Sequence, residues 1–230
     1  VSAEERVTLF SEGIEALGDP KRAAHLPGLF RDIFRNAFLK FRDGRILTMF
    51  LQEIDGFAYS HSEELGNAFE YLLQCMGTQG ENGQFRTPRH IIDFMVACLD
   101  PQPADRILDP ACGTGGFLTG AIEPIRRNQV KTPDDEAKLQ TSIFGVEKKP
   151  LPHLLCVTNM IVHGIDVPTN VRHDNTLSRP LRDYGAKDRV DVIVTNPPFG
   201  GQEEPGIEQN FPEAFRTRET ADLFLALILN

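Results

Sequence analysis

Two short stretches of this chain hold side chains of the kind that do chemistry: "DPACGTGGF", residues 109–117, and "NPPF", residues 196–199. In the first, a carboxylate precedes three glycines, Gly113, Gly115 and Gly116, which permit tight backbone turns and let a ligand approach the main chain closely. The spacing is not GxGxxG, and no Gly-Lys-Ser/Thr follows, which weakens the dinucleotide and P-loop readings. A carboxylate at that point repels a pyrophosphate. It suits a ligand carrying an ammonium and a sulfonium, such as S-adenosylmethionine. The bland reading is a glycine-rich turn with Asp109 as its cap.

The second stretch ends a strand. Val192, Ile193 and Val194 are apolar and β-branched in succession, the pattern of a buried strand, and the two prolines after Asn196 fix φ and remove donors. A stiff loop at a strand's carboxyl end results, presenting an amide, a free carbonyl and an aromatic ring where open parallel sheets bind ligands. An ordinary strand-terminating turn would look the same. As chemistry, the pattern fits methylation of an exocyclic amino group, whose lone pair is delocalised into its ring. The side-chain oxygen of Asn196 and the backbone carbonyl of Pro197 are two acceptors for the amino hydrogens. They would localise the lone pair and stabilise the positive charge that grows as nitrogen attacks a sulfonium methyl. Phe199 is placed to stack on the base, and an amine inside a duplex is reached only by flipping its nucleotide out.

Two further features fit the same cofactor. Glu147, closing "FGVE", follows the next strand, where an acid can accept both hydrogens of a ribose diol. In "GQFRTPRHIIDFM", Thr87 is placed as an N-cap with Pro88 as the first helical residue, and a helix start offers N–H groups to a carboxylate.

The elements that must carry these residues are legible in outline. Residues 3–77 read as helices: Leu26, Phe30, Ile33, Phe34, Ala37 and Phe38 recur at helical spacing, as do Leu65, Phe69, Leu72 and Leu73. Gly, Asn and Pro then concentrate between Gly77 and Pro88, which sets a boundary between a helical domain, residues 1–80, and a second domain, residues 81–230. Beyond it the pattern alternates. "RHIIDFMVACL" is a helix, "DRILDPA" a strand, "GGFLTGAIEPIRR" a helix, "SIFGVEK" a strand and "LPHLLCVTNMIVHG" a helix. "NVRHDNTL" follows as strand and turn, then the strand before NPPF and the helix "TADLFLALILN". Alternation of this kind predicts right-handed crossovers and a Rossmann-like α/β fold with a parallel sheet. The chain stops at Asn230 within an apolar helical run without a cap, as a fragment of a longer protein would.

Bulk properties are those of a globular protein, at 40% hydrophobic and 25% charged residues. No apolar run reaches the roughly 18 residues of a membrane span, and no signal peptide is seen, so a cytoplasmic protein without membrane contact is expected. Four cysteines without a CxxC pair give no metal site and read as free thiols. The net charge of −9 opposes strong nucleic-acid binding by this chain alone, so DNA contact would need local basic surface or a partner chain.

"NPPF" together with "DPACGTGGF" resembles the motif pair of amino-group DNA methyltransferases that modify adenine N6. With "GQFRTPR" and the N-terminal helices, the chain is similar to the modification subunit of type I restriction-modification systems. The resemblance implies an S-adenosylmethionine-dependent methyltransferase domain with target recognition placed after the catalytic region. It implies DNA as substrate, and a specificity subunit and a restriction subunit as partners. Around the cofactor it places Phe85, Thr87, Pro88, Asp109, Ala111, Gly113, Gly115 and Glu147, with Asp174 or Asn175 of "HDNTL" at the cofactor's adenine; Asn175, directly before Thr-Leu, matches the family pattern better. At the reaction centre it places Asn196, Pro197, Pro198 and Phe199. Against the complete family domain, the strands that finish the sheet are missing after Asn230, so this polypeptide alone is expected to methylate DNA poorly or not at all. A glutamine side-chain amide presents a similar planar amine, but enzymes acting on it usually have Tyr after the prolines and a different N-terminal domain. The other alternative is a non-catalytic scaffold subunit that kept the fold.

Overall fold

A computed structural model of the chain describes residues 2–56, 62–79 and 87–230, without the side chains of residues 62, 63, 74 and 76–79. The chain packs as two compact units, Val1–Leu65 and Gly66–Asn230. Most of the loop read as a domain boundary, and with it Phe85, lies outside the described residues.

In the first unit, α1 (Ala3–Gly18) packs against α2 (Gly28–Phe34) and α3 (Gly44–Asp55). A capping box starts α1: the Glu5 N–H donates to the Ser2 hydroxyl at 3.2 Å, and the Ser2 N–H to the Glu5 carboxylate at 2.7 Å. The helix expected through Phe38 ends at Phe34. Arg35 turns to extended backbone and Asn36 takes φ 64°, a left-handed conformation that a helix cannot contain. Ala37 and Phe38 therefore leave the apolar stripe, and Phe38 is exposed.

The helix α4 spans Ser62–Gln79, and its residues from Gly66 onward belong to the second unit. There follow α5 (Arg89–Leu99), β1 (Ile107–Asp109), α6 (Gly116–Asn128), α7 (Pro133–Ser142), β2 (Ile143–Glu147), α8 (Pro150–Val162), β3 (Val171–His173), β4 (Val192–Ile193) and α9 (Thr220–Ile228). Short 3-10 turns occupy the stretches between β3 and β4 and between β4 and α9. Sequence periodicity gives no sign of α7, which is mostly polar. Its start is nonetheless written in Thr132-Pro133: the Thr132 hydroxyl accepts the Asp135 N–H at 3.2 Å, and Asp135 accepts the Thr132 N–H at 2.9 Å.

All strand pairs are parallel, in the order β3-β2-β1-β4. After stepping outward from β1 to β3, the chain returns to the far side of β1, and the gap between β1 and β4 is the topological switch point. The register sets Leu108 beside Ile193 and Asp109 beside Gly145, so the residues that follow each strand gather at one edge. A helix stripe of Phe117, Leu118, Ala121, Ile122 and Ile125 buries α6 against its neighbours. Val192 and Ile193 are only half-buried, because β4 is an edge strand of the described sheet; the buried member of the trio is Val194, whose N–H still reaches the Leu108 carbonyl at 3.1 Å. Leu177 and Leu181, before β4, and Phe211, Leu223 and Phe224, after it, form a small apolar cluster that holds the flanking loops and α9 together.

Candidate active site

The carboxyl ends of the strands open into a cleft of about 1900 Å³. That exceeds the roughly 300–1,000 Å³ of a typical small-molecule pocket and leaves room for a cofactor and part of a second ligand. It is lined by Thr87, Pro88, Asp109, Ala111, Gly113, Glu147, Asp174, Asn175, Asn196, Pro197, Pro198 and Phe199. Among the residues read from the sequence, Gly115 does not line it, and Phe85 lies outside the described residues.

Asp109 ends β1 and is 1% exposed. Its Oδ1 accepts the Ala111 N–H at 3.0 Å and the Thr195 hydroxyl at 2.7 Å. Burial pushes its pKa up to about 7, against the lowering effect of those two hydrogen bonds, and the nearby Glu147 adds to the rise. The loop then turns on two left-handed glycines, Gly113 at φ 53° and Gly115 at φ 86°. The Gly113 N–H donates to Glu147 Oε2 at 2.9 Å, while Gly115 caps α6 beneath the loop, where an added Cβ would lie 2.8 Å from Cys156 Sγ. Gly115 thus shapes the loop against α8 and is not among the residues that line the cleft. The Cys112 thiol beside it is held neutral, its pKa raised by a hydrogen bond with Cys156 and by burial.

Glu147 is half-buried at the end of β2, and its Oε1 accepts the Lys149 N–H at 2.7 Å. After β3, Asp174 is exposed and its Oδ1 accepts the Asn175 N–H at 2.8 Å. Asn175 is turned inward: Oδ1 accepts the Leu177 N–H at 3.0 Å and Nδ2 donates to Glu203 at 3.2 Å. The next residue, Thr176, donates its hydroxyl to the Pro110 carbonyl at 2.6 Å, which ties this turn to the glycine loop.

Asn196 follows β4, and its Nδ2 donates to Thr87 Oγ1 at 3.1 Å, which reserves the amide oxygen for another donor. Thr87 is therefore not the cap of α5. Pro88 occupies that position, its carbonyl accepting the N–H groups of Ile91 and Ile92, and Arg89 is the first helical residue. The hydroxyl expected to cap the helix holds the acceptor loop. Phe199 is 74% exposed, an aromatic face open to solvent at the mouth of the cleft.

Several residues of the site went unread in the sequence. Thr195 binds Asp109, Thr176 binds the glycine loop, and Glu70 on α4 lines the cleft and accepts from Asn159 Nδ2 at 2.6 Å. Lys148 reaches Glu203 at 3.1 Å and Glu204 at 3.0 Å; burial lowers its pKa, but the two carboxylates raise it by more. Asp109, Glu147, Asp174, Glu203 and Glu70 make the cleft predominantly acidic, which favours a cationic ligand. Among the described residues no group of His, Cys, Asp and Glu is arranged to hold a metal ion.

A parallel sheet of this order, with a glycine loop after β1, an acid after β2 and Asn-Pro-Pro-Phe after β4, defines a Rossmann-like methyltransferase-fold domain. The model of the N-6 DNA methylase family matches residues 60–230, and the chain belongs to that family. It is 49% identical over 202 residues to the methylase subunit of the type I restriction enzyme EcoEI of Escherichia coli, covering 86% of this chain and 41% of that protein. A solved modification subunit assigned to a type I restriction enzyme of Vibrio vulnificus YJ016 superposes with a TM-score of 0.78 at 44% identity, covering 88% of this chain and 42% of that one. A chain from a structure of type I restriction-modification complex assembly and conformational transition superposes with a TM-score of 0.75 at 35% identity, over 94% of this chain and 44% of that one. The chain spans less than half the length of these relatives.

Proposed function

We propose that this chain carries the cofactor-binding and acceptor half-sites of a DNA methyltransferase that transfers a methyl group from S-adenosylmethionine to adenine N6. The observation that carries the reading is the juxtaposition of Asp109 and Asn196 at adjacent strand tips, joined through the Thr195 hydroxyl and opening into one acidic cleft. S-adenosylmethionine supplies an electrophilic methyl on a sulfonium. Asp109 and the Gly113 turn would hold its methionine end, the Glu147 carboxylate its ribose diol, and Asp174 and Asn175 its adenine. Thr87, held by Asn196, sits where the acceptor loop meets the start of α5. An amino group entering beside Phe199 would meet the Asn196 oxygen and the Pro197 carbonyl, which draw its hydrogens and free the nitrogen lone pair for in-line attack on the methyl; the S–C bond would break to a neutral thioether, and the methylated amine would release one proton to solvent. Residues 81–230 are taken as the methyl-transfer domain and residues 1–80 as a helical N-terminal domain, whose last helix packs with the former from Gly66 onward.

The relatives named as type I methylase subunits support placing the intact protein in a type I complex, with DNA as substrate and a specificity and a restriction subunit as partners. Phe199 and the match to the DNA methylase family favour adenine over a glutamine amide. In the intact protein assembled with its partners, Asn196→Ala is expected to cut single-turnover methyl transfer to duplex DNA by about 10²–10³-fold, the usual effect of removing one transition-state hydrogen-bonding group. S-adenosylmethionine affinity by calorimetry should stay within about threefold, since Asn196 does not touch the cofactor in this reading. Retained activity in Asn196→Ala refutes the assignment of the acceptor.

A further inference from the structure

One buried carboxylate in the cleft has no part in the reaction as derived above. Glu203 lies four residues past Phe199, next to the equally acidic Glu204, yet the two side chains differ sharply: Glu203 is 10% exposed and Glu204 is 72% exposed. Burying an ionised carboxylate is unfavourable unless donors surround it. Glu203 has them. Its Oε2 accepts from Lys148 Nζ at 3.1 Å and from Asn175 Nδ2 at 3.2 Å, and its Oε1 from the Thr220 hydroxyl at 3.3 Å. Its main chain is fixed as well, the N–H donating to the Arg218 carbonyl at 3.0 Å and the carbonyl accepting from the Arg218 guanidinium at 3.0 Å.

The positions of those partners give the arrangement its meaning. Lys148 directly follows Glu147, the ribose acid, and Asn175 follows Asp174 in the pair assigned to the cofactor's adenine, so Glu203 holds side chains at both strand tips that serve the cofactor's nucleoside end. On its other side, the segment from Gly200 is stitched to the start of α9: the Gly200 N–H donates to Glu219 at 3.0 Å and the Thr220 N–H to the Gly201 carbonyl at 3.1 Å. The far end of the acceptor loop is anchored by Thr195 on Asp109 and by Asn196 on Thr87. We propose that Glu203 is a positioning residue that locks the acceptor loop to the tips of β2 and β3, so that the cofactor's nucleoside contacts and the Asn196–Phe199 loop hold their geometry together. This inference rests on the methyltransferase reading and adds to it a residue that touches neither substrate nor the transferred methyl.

The test uses the intact protein with its partners, S-adenosylmethionine binding by calorimetry, and single-turnover methyl transfer at saturating cofactor. Glu203→Ala leaves Asn175 Nδ2 without its acceptor and Lys148 with only the exposed Glu204, and it is expected to weaken cofactor binding by about tenfold and to slow transfer at saturation. Glu203→Gln, which keeps shape and one acceptor oxygen, should fall between and provides the measurement should Glu203→Ala fold poorly. Glu213→Gln, on an exposed acid outside this contact, should stay within about twofold. A Glu203 variant that is folded and matches wild type in both affinity and rate overturns this inference alone. Wild-type protein that fails to bind S-adenosylmethionine overturns the methyltransferase reading, and this inference with it.

Discussion

Asp109 meets two opposed demands. Its burial favours the neutral acid and places its pKa at about 7, whereas a cationic cofactor favours the carboxylate. The folded value lies above the ordinary 3.8, so the stability this group contributes is fully present below about pH 4 and is lost as pH rises through about 7. Cofactor binding has the opposite slope. Below pH 7 it must expel a proton, and affinity is expected to climb by up to roughly tenfold per pH unit from 5 to 7 and then level. Asp109→Asn should flatten the affinity profile and abolish the matching fall in stability, as calorimetry and urea denaturation between pH 4 and 8 would show. Thr195→Val removes a hydrogen bond that favours the carboxylate and should move the affinity midpoint upward. Identical pH slopes in wild type and Asp109→Asn would mean that some other group titrates. The acid itself is legible in sequence, standing just before a glycine turn. Thr195 is not, because its partner is 86 residues away and a Thr at a strand end is ordinary.

At the level of elements, the glycine loop separates two reasons for lacking a side chain. Gly113 and Gly115 both have left-handed backbone, but a Cβ on Gly113 meets nothing within 4 Å, whereas one on Gly115 would press on Cys156 Sγ at 2.8 Å and Met160 Cε at 3.0 Å. Gly113→Ala should therefore cost only the conformational strain, about 1–2 kcal/mol. Gly115→Ala adds overpacking against α8 and should cost about 2–5 kcal/mol in total, measured by chemical denaturation. Equal losses would show that α8 yields freely. The alternation of helices and strands in the second unit was readable because apolar periodicity follows burial, and β1, β2, β3, β4, α6, α8 and α9 lie where it puts them. Three elements were misread for reasons equally physical. The polar α7 has too little apolar periodicity to register, α2 stops where Asn36 turns left-handed, and Thr87 gives up its cap to Asn196. Periodicity reports burial, and it is silent on which long-range partner a hydroxyl or amide will choose.

Over the whole chain, charge sets a limit on what residues 1–230 do alone. With 24 Lys and Arg against 33 Asp and Glu, the net charge is −9, and the cleft that would receive a flipped base is itself rimmed by carboxylates. The carboxylates suit the cationic cofactor, and the same charges repel a phosphate backbone. On the proposed function, cofactor and nucleic acid would make opposite electrostatic demands on one cleft, and the basic surface that grips DNA would have to lie outside residues 1–230. This gives a measurable contrast. For residues 1–230 alone, the plot of log affinity for duplex DNA against log salt should have a shallow slope, corresponding to about two neutralised phosphates or fewer at roughly 0.9 per phosphate. A protein assembled as proposed should show a slope several times steeper, while S-adenosylmethionine affinity, which displaces no phosphate counterions, changes much less with salt. A steep slope from residues 1–230 alone, equivalent to six or more phosphates, would place the DNA-binding surface on this chain and remove the electrostatic reason for a partner.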